Sequence, residues 1–566
     1  MIVSHVDKAY PAVQTLIENR VASRVQAKDA TLYAFDAEAQ ACCEKFMGWA
    51  DLASKPPVPI AQIQDYAQRC RERGMESVLL LAQGGSSVAA MALAKFCGEG
   101  LGLRFFSLDS DSPVRLREML GQVDLATTIV LVSSKSGGTI EMRSYLAAVR
   151  AAFAEKLPYG QISEHLVAIT DPGSPLEAMA REEGWDAIFP GEPTVGGRFS
   201  ALSVFGLVPA ALVGVDLDAL LDAALDAEKR CSKDDEENPA INLAAFMYDN
   251  YRAGRDKIAL LLQARGRVLG LWIEQLVAES LGKNGLGILP NIEIDPLLLA
   301  SDPGDRTVIA YQTDAGSWDE LKNFEASLAH VDAGIPRADL RVDTVDDLAE
   351  HFVMWEYATA MCGYLMQVCP FDQPDVQQAK TNVLQILAAG LPAPDFTDES
   401  LVGAPIEVHA APCLGACSTV HDALSALMAS VKPGDYFCLN AFLPFAGEGR
   451  REALERIRHA VAAHLGVASC LEIGPRYLHS SGQLYKGGPN TGVFLVISAD
   501  EPRDVPLAGE KAPSLGALAE AQATGDALTL VERGRRVAHL HLPDHAGATL
   551  RIVADEVEKV LNELSR

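Results

Sequence analysis

No apolar run in the chain approaches the roughly 18 residues that a membrane-spanning helix requires, and Met1–Lys8 carries no basic stretch followed by an apolar core of the secretory kind. Basic residues are scarce. Lysine and arginine total 48 against 76 aspartates and glutamates, leaving a net charge of −28. A field of that sign repels polyanions, which excludes nucleic acid or an anionic membrane as the main partner. It also means that a phosphorylated ligand needs a local concentration of positive charge or backbone N–H groups. The nucleotide loop GxxxxGK[ST] is absent. So is any CxxC pair: among 11 cysteines, Cys413 and Cys417 are spaced CxxxC, with no second pair at zinc spacing. These read as reduced thiols of a cytoplasmic protein, with no metal and no cofactor implied.

Aromatics make up only 6% of the chain, but hydrophobic residues reach 49%, enough for a large core. The 566 residues suggest several domains. Residues 1–75 read as an N-terminal helical segment, with helices over Arg20–Ala30 and Ala37–Leu52 and a break at Lys55–Ile60. From residue 76 short apolar runs alternate with helical periodicity: strands at Ser77–Ala82, Leu103–Leu108, Thr127–Val132 and Leu166–Thr170, and helices between them. The pattern restarts with strands at Lys257–Leu262, Arg306–Tyr311 and Ala338–Val342 and a helix over Arg267–Lys283. This predicts two α/β halves with parallel sheets flanked by helices, over 76–225 and 226–392. Leu391–Pro394 marks a boundary, and 393–566 forms a C-terminal α/β region closed by an amphipathic helix, Ala548–Leu564.

Five segments carry residues suited to chemistry. Gln83–Ser87 (QGGSS) leaves a strand and opens a helix, where free N–H groups and the helix dipole favour an anion, although a capping turn looks the same. Ser133–Thr139 (SSKSGGT) has the same placement with more donors, as a phosphate monoester needs. In Gly196-Gly197-Arg198-Phe199-Ser200 two glycines let backbone approach a ligand closely beside an arginine, or simply make a surface turn. Gln275, Glu279 and Lys283 share one face of a helix, either as a site or as a solvated stripe. In Phe371–Lys380 (FDQPDVQQAK), Gln373 precedes a helix and Lys380 sits two turns into it.

Together, in chain order over about 80–390, these segments resemble the phosphoglucose isomerase family. VGGRFSALSVFG, QLVAESLGK and FDQPDVQQAK are the specific matches. The resemblance implies two sugar-isomerase-type subdomains and the interconversion of glucose 6-phosphate and fructose 6-phosphate through an enediol, with no cofactor, in a homodimer. It implies that Gly85, Ser86, Ser134, Lys135, Ser136 and Thr139 bind the phosphate and that Gln275 and Gln373 orient hydroxyls. Glu279 would move the proton, Arg198 would stabilise the enediolate, and Lys380 would assist ring opening.

One departure stands out. The family's ring-opening histidine is expected about thirty residues beyond the glutamate, where this chain reads Asp302–Tyr311 without histidine. His479, in the donor-rich segment Arg476–Asn490, is one candidate for that role. The tail around it resembles that of fused transaldolase–isomerase proteins. The vacancy leaves open a dual specificity that includes mannose 6-phosphate, and a non-catalytic phosphosugar-binding regulator is a further alternative. His539, His541 and His545 offer an HxH pattern that suits either a metal or a surface strand with solvated histidines.

Overall fold

The computed structural model describes residues 10–98, 100–293, 295–313 and 318–565. The chain divides into two compact units. The first comprises Met1–Asp109, Met119–Gly282 and Leu286–Gln373; the second comprises Ser110–Glu118, Lys283–Gly285 and Pro374–Arg566. This cuts the chain differently from the four segments read in the sequence, because the helix Gln377–Ala389 packs on the helix Leu515–Glu532.

The first unit holds two parallel sheets. One contains β1 (Ser77–Leu81), β2 (Arg104–Leu108), β3 (Thr128–Ser133), β4 (Leu166–Thr170) and β5 (Ala187–Pro190), in the order β2-β1-β3-β4-β5. The other contains β6 (Lys257–Leu262), β7 (Leu289–Glu293), β8 (Arg306–Gln312) and β9 (Arg337–Arg341), in the order β7-β6-β8-β9. Every residue of β1, β3, β4 and β6 is buried. That is why the middle of each strand is a continuous apolar run: helices cover both faces of a parallel sheet. The helices Val88–Cys97, Val204–Val213 and Arg267–Leu281 pack between the two sheets, and one core extends from the first helices through both.

Ahead of the helix Ile60–Glu72, the N-terminal helices are Pro11–Glu18, Val21–Gln26 and Ala37–Phe46, with Pro11–Glu18 not anticipated and the other two shorter than expected. Asp36 caps the last of them by accepting the Ala39 N–H, and its end is set where Met47 bridges Val195. Gly48 then donates to the Thr194 carbonyl at 3.0 Å, so this segment is tied to the loop that leads into Arg198.

The second unit is a mixed sheet of β10 (Phe396–Asp398), β11 (Ile406–Ala410), β12 (Tyr436–Phe442), β13 (Ala468–Ile473), β14 (Gly492–Ala499) and β15 (Arg536–Leu542). The order is β10-β11-β15-β14-β12-β13, with β15, β14, β12 and β13 parallel. Its apolar core includes residues of the helices Val420–Ala429, Arg450–Leu465 and Gly547–Leu564. Among the described residues no helix is long and apolar enough to cross a membrane.

Candidate active site

Strand order brings the two serine-rich turns together. β1 and β3 are parallel neighbours, so the turns leaving their C-terminal ends open on the same sheet edge, one strand spacing of about 4.8 Å apart. In the first, Gly84 holds φ +55° and the 3-10 turn Gly84–Ser86 leads into the helix Val88–Cys97. A Cβ on Gly85 would lie 2.2 Å from the carbonyl carbon and oxygen of Gly197 and 2.6 Å from the Arg198 nitrogen. Glycine there lets this turn touch the arginine turn, backbone to backbone. Ser86 is buried beside it.

In the second turn, the Ser134 and Thr139 hydroxyls lie 2.9 Å apart, and the Gly137 N–H donates to Ser134 Oγ at 3.2 Å. Ser136 is exposed, and its Oγ accepts the Gly138 N–H at 3.3 Å. The turn opens the helix Ile140–Ala154, whose positive dipole end therefore faces the same hydroxyls. The Lys135 ammonium pairs with Asp171 and donates to the carbonyls of Glu192 at 3.3 Å and Pro193 at 3.2 Å. Its charge is thus committed to neighbouring chain, and any part Lys135 has in binding falls to its backbone. Burial pushes the Asp171 carboxyl up, with Lys135 opposing the shift.

Arg198 lies in the 3-10 turn Gly197–Phe199 and is 3% exposed. Its Nε donates to Ser280 Oγ at 2.8 Å. One terminal nitrogen, Nη2, donates to the carbonyls of Pro370 at 2.7 Å and Asp372 at 2.9 Å. The other, Nη1, donates to Gln373 Oε1 at 3.1 Å and lies 3.2 Å from Glu279 Oε1. Gln275 completes the cluster by donating to Glu279 Oε2 at 3.1 Å. Each carboxylate oxygen of Glu279 is therefore held by a different partner. The helix Arg267–Leu281 that carries Gln275 and Glu279 also packs against both the Gly84–Ser86 and Gly197–Phe199 turns. Gln275 is 3% exposed, so this helix face is not a solvated stripe.

Packing explains why the arginine stays in place. Phe199 lies tilted against Trp49 with ring centroids 4.9 Å apart and meets Phe371 edge-on at 5.2 Å, and Tyr33 meets Phe371 at 5.7 Å. Aromatic pairs of this kind add about 0.5–1.5 kcal/mol each beyond the area they bury. Ser280 and the Pro370 and Asp372 carbonyls escaped the sequence reading. The only sequence signal was adjacency, of Ser280 to Glu279 and of the carbonyls to Gln373.

Thus Arg198, Gln275, Glu279 and Gln373 are in contact, with Gly85 against the arginine turn and Ser86, Ser134, Ser136 and Thr139 at the adjoining sheet edge. Lys380 and His479 belong to the second unit. Lys380 is exposed on the helix Gln377–Ala389, and His479 is half-buried at the end of the 3-10 turn Arg476–His479. The segment that lacks a histidine runs into β8, where Tyr311 is fully buried. The Tyr311 hydroxyl lies 2.9 Å from His351 Nδ1 and accepts from Trp355 Nε1 at 2.6 Å. His351 Nε2 lies 3.0 Å from the Arg341 carbonyl, so both ring nitrogens are used, and burial lowers its pKa to about 4. It is a neutral core histidine.

His539 and His541 share a face of β15, but not as solvated surface groups. They are 1% and 8% exposed, and Ser498 Oγ lies 2.8 Å from His539 Nε2 and 2.9 Å from His541 Nδ1. Burial holds His539 well below the usual imidazole range. Among the described residues, the group spaced to hold a metal ion is instead Cys42, Cys369 and Asp372.

Parallel sheets flanked by helices, with donor-rich turns at strand C-termini beside a carboxylate–guanidinium pair, define the sugar-isomerase class of α/β protein. The chain belongs to the phosphoglucose isomerase family, whose profile matches residues 73–287. It is 30% identical over 346 residues to a probable glucose-6-phosphate isomerase of Methanococcus maripaludis, a match covering 54% of this chain and 78% of the relative. It is 36% identical over 253 residues to a glucose-6-phosphate isomerase of Synechococcus sp. (strain JA-3-3Ab), covering 40% of this chain and 47% of the relative. A solved hypothetical protein from Thermus thermophilus is similar at TM-score 0.59 and 26% identity, over 69% of this chain and all of that one (100%).

Proposed function

We propose that this chain interconverts glucose 6-phosphate and fructose 6-phosphate by moving one proton between C2 and C1 of the open-chain sugar. The observation that carries the reading is the Glu279 carboxylate, 12% exposed, gripped through one oxygen by Arg198 and through the other by Gln275. A proton α to a carbonyl is weakly acidic, so the base must be fixed within about 3 Å of the carbon it serves. The two carbons are adjacent, and one carboxylate on a rigid helix reaches both.

The sheet-edge turns supply what a phosphate needs: the Ser86, Ser134, Ser136 and Thr139 hydroxyls and the N–H groups of a helix start. Phosphate held there leaves C1 and C2 to reach towards Glu279. Negative charge then develops on the enediolate oxygens, and a preorganised donor is worth about 3–4 kcal/mol at that point. Arg198 Nη1 fits this role, because its present partners are the side chains of Glu279 and Gln373, whereas Nη2 and Nε are bound to backbone and Ser280. Gln275 and Gln373 orient sugar hydroxyls. Lys380 and His479 remain the candidates for ring opening.

We place the enzyme in the cytoplasm as a homodimer. Eleven cysteines without a disulfide support a reducing compartment, and the dimer rests on family likeness. The absence of a histidine from Asp302–Tyr311 makes mannose 6-phosphate worth testing as a second substrate.

Turnover in deuterium oxide tests the proposal. Fructose 6-phosphate should convert to glucose 6-phosphate with solvent deuterium entering C2, because a carboxylate proton exchanges with water between steps. Binding of fructose 6-phosphate without conversion would identify a sugar-phosphate sensor instead.

A further inference from the structure

Cys42, Cys369 and Asp372 each place one ligand atom within 4.8 Å of the other two. They meet from distant parts of the chain. Cys42 lies on the helix Ala37–Phe46, and Cys369 and Asp372 lie in the stretch that follows the helix Val345–Met366. A further thiol adjoins Cys369, whose Sγ lies 3.8 Å from Cys43 Sγ. Two thiolates at about 2.3 Å from a tetrahedral ion are about 3.8 Å apart, so ligand atoms already within 4.8 Å of one another have little distance to close to share one ion. Sulfur with one carboxylate suits a thiophilic ion of the zinc class and not magnesium or calcium. Access is open on one side: Cys369 is 5% exposed, while Cys42 and Asp372 are only half-buried.

The position matters because of what the same stretch holds. The Pro370 and Asp372 carbonyls accept from Arg198 Nη2, and Gln373 Oε1 accepts from Nη1. We propose that Cys42, Cys369 and Asp372 bind a zinc-class divalent cation that ties the N-terminal helical segment to the 369–373 stretch, and so fixes the acceptors of Arg198. On binding, each thiol releases its proton to solvent, so affinity rises with pH. This site is independent of the sugar phosphate reading.

The test is a cobalt(II) titration of the full chain after chelator treatment. One equivalent should bind with a thiolate-to-cobalt absorption band, zinc should displace it, and either ion should raise the melting temperature. Cys42→Ser and Asp372→Asn should each weaken binding by roughly tenfold or more. The Cys413→Ser/Cys417→Ser double variant should bind as the parent does. Absence of the band in the parent chain overturns the proposal, as does a band that survives Cys42→Ser or is lost in the Cys413/Cys417 control.

Discussion

All five N–H donors of Arg198 face acceptors: Ser280, the Pro370 and Asp372 carbonyls, Gln373 and Glu279. A guanidinium forks in a plane and reaches all of them at once, whereas an ammonium has three donors on a flexible stem. Arg198→Lys should therefore lower turnover by roughly 10²–10³-fold while keeping the charge, as steady-state kinetics would show. Glu228 offers a second test at this scale. Burial pushes its carboxyl up to about 7 from 4.5, against the Ala53 N–H it accepts at 2.9 Å. Its folded pKa is raised, so the unfolded chain releases the proton first. Stability is lost as pH rises from 4.5 through about 7, by up to about 3 kcal/mol at roughly 1.4 kcal/mol per unit. Glu228→Gln keeps the acceptor and removes the titration. It should be stabilising relative to the parent at about pH 8 and near neutral in effect at about pH 4, read by hydrogen exchange in the helix Leu217–Cys231. The specific motifs were legible in the sequence at the residue scale, because the family resemblance named Glu279, Arg198 and Gln373. The backbone acceptors of Arg198 were not, since a carbonyl at Pro370 or Asp372 leaves no mark in residue type.

Among the elements, the contact between the first glycine turn and the arginine turn sets the site. Gly85→Ala would put a methyl 2.2 Å from the Gly197 carbonyl, and backbone cannot yield as a side chain end can. The expected cost is about 1–3 kcal/mol or more, together with lost turnover as Arg198 is displaced; a thermal melt and an activity assay check it. Normal activity at normal stability would mean the turns are not rigidly apposed. The buried strands β1, β3, β4 and β6 could be read because each contains an unbroken apolar run of four or five residues. β7 was missed because it reads Leu-Pro-Asn-Ile-Glu and lies at a sheet edge, where one side needs no partner. β15 misled in the other direction. Its His539 and His541 look polar by composition, yet Ser498 Oγ lies against one ring nitrogen of each, and the strand is buried between β11 and β14.

Across the whole molecule, two compact units predict separable unfolding. In the second, Lys486 pairs with Asp526 at 2.5 Å with both side chains essentially inaccessible, and the Tyr477 hydroxyl donates to Asp526 at 2.6 Å. Removing one member of a buried pair costs about 3–5 kcal/mol because it strands the other charge. Lys486→Met should speed hydrogen exchange through β12 and β14 and leave the helix Arg267–Leu281 unchanged. Equal acceleration in that helix would show that the units open together.

The most direct test of the account is Glu279→Gln, which keeps the hydrogen-bonding shape and removes the base. Turnover of fructose 6-phosphate should fall by roughly 10²–10⁴-fold, while its dissociation constant, set by the serine-rich turns, stays within a few-fold of the parent. Turnover close to that of the parent chain would contradict the assignment of proton transfer to Glu279.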